Sequence, residues 1–345
     1  VSYNPNAPAG PGPAPRPGGP SSTGPGPARI SPANSAEARG NYGFRRVEVL
    51  PGNIGLIELR GFSNINFDDP DDPARHAADA ALEFVSGTDA LIFDLRDNGG
   101  GAPSMVGYLT SAFTPAGAPI YNVFHRRDGT RSEAPAVLHP APRLTVPVYI
   151  LTSGRTGSAA EAFPYTMQAA GRATIVGEAS GGAANPGGTI QVGGGFAVFI
   201  SNGSPRNPIT GTNWEGTGVI PDVDVRWDQA LIRAQTLALS ALVEADASRR
   251  DALWAMEALK PPVETGDLRD YVGAYDDMTV SVVDGRLHVV SGRRPPSVLS
   301  PIGPDLFTVA GDPGMRIRFS RDGDRVSALD IQALTWPGRR ARRTD

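Results

Sequence analysis

At 345 residues the chain is long enough for two domains with proper cores, and its net charge of −4 gives no electrostatic reason to expect nucleic acid or an anionic membrane as partner. It contains no cysteine, which excludes disulfides, thiolate zinc sites and a cysteine nucleophile. No run reaches the roughly 18 apolar residues of a membrane span, and His76, His125, His139 and His288 lack metal-ligand spacing, so neither a metal nor a cofactor is expected.

In chain order, residues 1–41 come first, with ten prolines before Ala33, many glycines and hardly a large apolar residue after Tyr3. Such a stretch cannot bury enough surface to offset its ordering entropy, and it reads as a disordered or polyproline-like spacer. Because the chain starts at Val1 without a signal peptide, a longer native N-terminus is expected. Residues 42–260 then alternate strand and helix patterns. Arg46–Val49 and Ile54–Leu59 predict strands, Pro73–Val85 a helix, Ala90–Arg96 a buried strand and Ser104–Phe113 a helix. A strand near Ile120–Phe124, the strand Val148–Leu151 and a helix over Ala159–Ala170 follow, with Pro164 expected to kink that helix. Thr174–Val176 and Phe196–Ile200 are expected to continue the same sheet, giving an α/β fold in which helices cover a central sheet. Trp227–Glu244 and Ser248–Leu259 predict amphipathic helices before Pro261-Pro262 closes the core. Residues 262–337 alternate around Asp284-Gly285 and Asp322-Gly323, the pattern of a small antiparallel β domain, and residues 338–345 read as a solvated basic tail.

Two turns in the α/β region carry chemistry. After the Val148 strand, Thr152-Ser153-Gly154-Arg155-Thr156-Gly157-Ser158 leads into a helix, so Ser158 stands at a helix N-terminus whose free N–H groups favour a developing anion. A serine nucleophile needs that environment, although most serines before helices are simple N-caps. After the Ala90 strand, Gly99-Gly100-Gly101 lets backbone N–H groups point inward, as an oxyanion hole requires. No Gly-Lys-Ser/Thr follows, so this is not a phosphate loop.

The run Leu91 to Gly101 resembles the glycine loop of the S41 serine peptidases, and Ser158-Ala159-Ala160-Glu161 resembles their nucleophile motif. Gly177-Glu178 with Gly181-Gly182 is similar to the turn that follows it, and Asn207 to Asp222 to a signature of the bacterial branch like interphotoreceptor retinoid-binding protein. Asn41-Tyr42-Gly43-Phe44 through Gly61-Phe62 resembles the start of that branch's core, so the likeness covers about residues 41 to 246. It implies a crotonase/ClpP-like spiral core and a serine endopeptidase acting on unfolded or tail-exposed polypeptides. Ser158 would be nucleophile, Glu215 the assisting glutamate, and the N–H groups of Ala159 and either Gly100 or Gly101 the oxyanion donors. Ser180 to Gly188 would lie beside the site and touch substrate.

The base does not carry over. The serine–lysine branch keeps its lysine where this chain has Ala183 or Gly187, and Lys260 is the only lysine, so that mechanism is excluded. The tricorn-like branch uses a histidine that would fall a few residues upstream of Val1; within the chain, His125 is the one to test. A hydrophobic-ligand-binding module of the retinoid-binding type is the second reading. A crotonase-like acyl-CoA enzyme is a third, but nothing here resembles its CoA-binding loop. The expected partner is a polypeptide substrate, with no membrane span, room for a homo-oligomer and a periplasmic or secreted location.

Overall fold

The computed structural model describes residues 2–3 and 35–345. The proline-rich spacer expected at the start therefore lies largely outside the described residues. By internal contacts the chain forms two compact units, Val1–Glu48 with Gly55–Leu231 and Val49–Ile54 with Ile232–Asp345. The boundary read at Pro261-Pro262 falls inside the second unit.

In chain order the first unit contains β1 (Ser2–Tyr3), α1 (Ala36–Arg39), β2 (Phe44–Leu50), β3 (Ile54–Leu59), α2 (Pro73–Phe84), β4 (Ala90–Asp94) and α3 (Pro103–Ser111). β5 (Val123–Arg126), β6 (Gly129–Ser132), β7 (Val148–Thr152), α4 (Ala159–Ala169) and β8 (Thr174–Gly177) come next. β9 (Gly187–Gly193), β10 (Phe196–Ser201), β11 (Gly203–Arg206) and β12 (Val223–Asp224) complete it. A six-stranded sheet in the order β12-β8-β7-β4-β3-β2 forms the centre, with β4, β7, β8 and β12 parallel. Every residue of β4 and β7 is buried, which is why both read as continuous apolar runs rather than alternating ones. Phe93 of β4 packs edge-on against Phe113 and against Phe163 of α4, with ring centroids 5.7 and 5.1 Å apart, fixing the helices on the sheet. α4 runs unbroken through the buried Pro164.

Phe196–Ile200 does not continue this sheet. It lies in β10, the middle strand of a separate antiparallel sheet ordered β1-β10-β9, while the Ile120 region contributes β5 to another, β11-β5-β6. Both small sheets are solvated, with Ile190, Val192, Phe199 and Ile200 exposed.

α5 (Ala230–Ala245) and α6 (Arg250–Ala258) precede eight strands: β13 (Gly273–Tyr275), β14 (Met278–Val283), β15 (Arg286–Ser291), β16 (Ser297–Gly303), β17 (Leu306–Val309), β18 (Asp312–Asp322), β19 (Arg325–Ala333) and β20 (Arg339–Arg342). They pair antiparallel in chain order. Asp284 and Gly285, at φ 48° and 72°, make the two-residue turn that joins Val283 to Arg286. The hairpin between β18 and β19 turns on Gly323-Asp324, one residue later than expected, since Asp322 already pairs with Arg325. The basic tail is ordered: Arg339–Arg342 forms β20, paired with β19, with Arg339, Arg340 and Arg342 exposed and Ala341 buried, and it closes the sheet on itself. Asp276 N–H donates to the Arg342 carbonyl at 3.0 Å and Thr344 N–H to that of Ala274 at 2.9 Å. Among the described residues no helix is long and apolar enough to cross a membrane.

Candidate active site

β4 and β7 are parallel neighbours, so the turns that leave their carboxyl ends lie side by side, the usual place for a site in such a sheet. Hydrogen bonds stitch the two turns together. Thr156 Oγ1 donates to the Leu95 carbonyl at 2.8 Å, Ser153 Oγ donates to that of Arg96, and Gly157 N–H donates to that of Asn98 at 3.0 Å. Arg155 Nε donates to Asp97 Oδ1 at 2.6 Å. Burial alone would raise the Asp97 carboxyl, but hydrogen bonds from Arg60 and Arg155 hold it below the ordinary carboxylate range.

Ser158 sits at the N-cap of α4 with φ 56° and ψ −122°. A positive φ is strained for a residue with a Cβ, and the surrounding turns hold it there. The glycine loop packs directly on it. A Cβ built on Gly100 would lie 2.8 Å from both Ser158 Cβ and the Gly157 carbonyl oxygen, and one on Gly101 would lie 2.1 Å from the Phe62 carbonyl oxygen. Gly100 N–H is already engaged, donating to Asn98 Oδ1 at 2.9 Å. The N–H groups of Gly101 and Ala159 have no acceptor among the described residues. Ser158, Ala159 and Gly101 line one cavity of about 260 Å³, walled by Pro103, Phe124 and Trp214.

Three carboxylates bear on this site, of which only Glu133 lines the cavity itself, and only Glu215 was expected. Glu215 is exposed, and its Oε2 accepts from the N–H groups of Ala184 and Asn185, each at 2.8 Å. It therefore clasps the loop whose Ala184 and Pro186 line the cavity. Glu161 is fully buried and is the hub of the site. Its Oε2 accepts from Ser158 N–H at 2.7 Å and Ala183 N–H at 2.9 Å, and its Oε1 from Ser180 Oγ and Gly182 N–H, both at 2.6 Å. Ser180 Oγ in turn accepts from Val219 N–H at 2.7 Å. The Ser180–Gly188 loop is thus pinned by two carboxylates. A serine followed three residues later by glutamate is a capping-box signal, which could have flagged Glu161.

Glu133, 3% exposed, lines the cavity directly. Burial pushes its carboxyl up to about 8, against a single hydrogen bond from Asn122 Nδ2 at 2.8 Å, and its Oε1 has no partner among the described residues. None of the four histidines lines the cavity. On β5, Phe124 and Arg126 do, while His125 between them lines a separate surface pocket with Ser204 and Asn213, as strand alternation dictates.

The model of peptidase family S41 matches residues 53–225, half of the chain and the whole stretch that builds this cavity's two turns. Among solved structures, a photosystem II D1 C-terminal processing protease is 21% identical over 50% of this chain and 42% of its own length, with a TM-score of 0.39. A lipoprotein from Streptococcus agalactiae is 20% identical over 59% of this chain and 72% of that one, with a TM-score of 0.45. Mature CPAF is 16% identical over 58% and 55%, with a TM-score of 0.44. This chain thus spans less than half of the processing protease's length and about half of mature CPAF's. On the family match, the chain belongs to peptidase family S41.

Proposed function

We propose that the chain is a serine-type peptidase of the retinoid-binding-protein-like branch, with Ser158 as nucleophile acting on unfolded polypeptide. The observation that carries the reading is the strained Ser158, held against a glycine loop in one cavity with two unengaged N–H groups. Ser158 Oγ attacks the scissile carbonyl carbon as its proton passes to a base. The oxyanion that forms is held by the N–H groups of Ala159 and Gly101, and Gly100 is set aside because Asn98 occupies its N–H. Collapse expels the amine with the proton returned by the base, and water then hydrolyses the acyl-enzyme.

The base comes from chain leading into β1. Ser2 pairs with Ala197 and Tyr3 with Phe196, antiparallel, which sets β1 against β10, the strand that ends at Ser201. Ser201 Oγ donates to the carbonyl of Pro186, a residue that lines the cavity. Glu215, whose second oxygen has no partner among the described residues, orients that base. The exposed Ile190, Val192 and Phe199 follow Pro186 along the hairpin and suit the apolar side chains of an unfolded substrate.

A fluorophosphonate probe should label Ser158 in protein that includes the native upstream segment. Ser158→Ala should abolish labelling and peptidase activity, and His125→Ala should change neither. Undiminished labelling of Ser158→Ala refutes the nucleophile. Loss of activity in His125→Ala moves the base into this chain, and protein that neither labels nor cleaves leaves the ligand-binding reading.

A further inference from the structure

The eight strands β13 to β20 close into a barrel, and that barrel is hollow at one end. Leu287, Phe307, Phe319 and Val326 fill one end, with Tyr271 packed edge-on against Phe307 and tilted against Phe319 at ring distances of 5.3 and 4.7 Å. The other end is where β14, β16, β18 and β20 begin and β15, β17 and β19 finish. There a cavity of about 450 Å³ is lined by Met278, Val289, Val309, Met315, Ile317 and Ile331. Eight strands enclose just enough room for one small ligand, and this volume lies in the range of ligand pockets. Those six side chains offer only apolar carbon and thioether sulfur, which does not hold water well. The polar lining comes from Ser291 and Ser297, at the end of β15 and the start of β16, and from two arginines. The rim differs. Trp336 is 41% exposed there, and Arg294 and Arg339 stand beside it. Arg339 pairs with Asp277, whereas Arg294 pairs with no carboxylate among the described residues. An apolar interior below an unpaired guanidinium matches a molecule with an apolar body and an anionic head.

We propose that the barrel binds one amphipathic carboxylate of the fatty-acid kind, its apolar chain between Met315 and Ile331 and its carboxylate on Arg294. This site is separate from Ser158 and does not depend on the peptidase reading. Dansylaminoundecanoic acid tests it. Titrated with the full chain, the probe should show saturable one-to-one binding with enhanced, blue-shifted emission. Met315→Trp, which fills the cavity, should abolish that signal. Arg294→Ala removes an exposed side chain that the fold does not need. It should weaken binding about tenfold, and the methyl ester of the probe should bind the unaltered chain about tenfold more weakly than the acid, the loss of one charge-assisted contact. Absence of saturable binding overturns the proposal, as does binding that survives Met315→Trp. Equal affinity for acid and ester, together with an unaffected Arg294→Ala, overturns the assignment of the carboxylate to Arg294.

Discussion

In the central sheet, β4 and β7 stop at turns that leave the N–H groups of Gly101 and Ala159 without acceptors among the described residues, whereas in the barrel Tyr275 at the end of β13 bridges to Arg343 just past β20, joining the two edges of the sheet. The difference decides where chemistry can sit. An open parallel sheet delivers chain ends to one edge, where helix N-termini and glycine turns hold donors aimed at nothing. A closed meander satisfies its backbone all the way round, so what remains unmet is side-chain space and charge inside its mouth. The first arrangement is suited to developing charge, the second to holding a neutral body.

Breaking the hub tests the first half of that comparison most severely. Glu161→Ala leaves the N–H groups of Ser158, Gly182 and Ala183 and the Ser180 hydroxyl without their common acceptor. Only the Ser180 hydroxyl is buried, the three N–H donors being part-buried, so stability in denaturant titrations should fall by about 1–3 kcal/mol, the cost of one orphaned buried donor. Probe labelling of Ser158 should vanish even below the unfolding midpoint. Retained labelling in a destabilised variant would mean that Glu161 supports the fold without setting the nucleophile.

Gly101→Ala should come next. Its φ of 141° strains any side chain, and the added methyl would meet the Phe62 carbonyl at 2.1 Å, so the loop must shift. If Gly101 N–H holds the oxyanion, kcat should fall about 10²–10³-fold while KM moves little. An unchanged kcat assigns that donor elsewhere.

Both turns were legible because their signals are local: small residues after an apolar strand, a serine before a helix, Asp-Gly between alternating runs. What stayed hidden depends on partners far along the chain. Phe196–Ile200 reads as a strand, but its apolar alternation cannot say that β9 rather than β8 is its neighbour. Arg339–Arg343 turns a single apolar residue, Ala341, inward, too little for a period-two pattern, and its strand is built by pairing with β19. Glu161 meets three of its donors 19 to 22 residues away, and Glu133 owes its character to burial that no neighbouring residue announces.

Glu133 sharpens the comparison through pH. In the unfolded chain its carboxyl loses its proton near 4.5, whereas in the folded chain it keeps it up to about 8. Between those values the folded state binds the extra proton, so its stability declines as pH rises. Glu133→Gln cannot titrate. Unfolding free energies measured at pH 5 and pH 8 should therefore show the variant gaining on the unaltered chain by up to about 1.4 kcal/mol per pH unit. Parallel curves would mean that the carboxyl is ionised where it lies.

The smallest effect belongs to the barrel, and it isolates conformation from contact. Gly285 has φ 72°, as Gly101 has a positive φ, but a Cβ there would meet nothing within 4 Å. Gly285→Ala thus carries the left-handed strain of the turn and no clash, worth about 1 kcal/mol. Register between β14 and β15 is also held by pairs as far as Met278 and Ser291, so the hairpin should keep its alignment. Thermal unfolding should shift by a few degrees, while Ser158 labelling and dansyl probe binding stay as they were. A loss as large as that of Gly101→Ala would show that positive φ alone, rather than the packing of the glycine loop on Phe62 and Ser158, accounts for the sensitivity of the active-site turn.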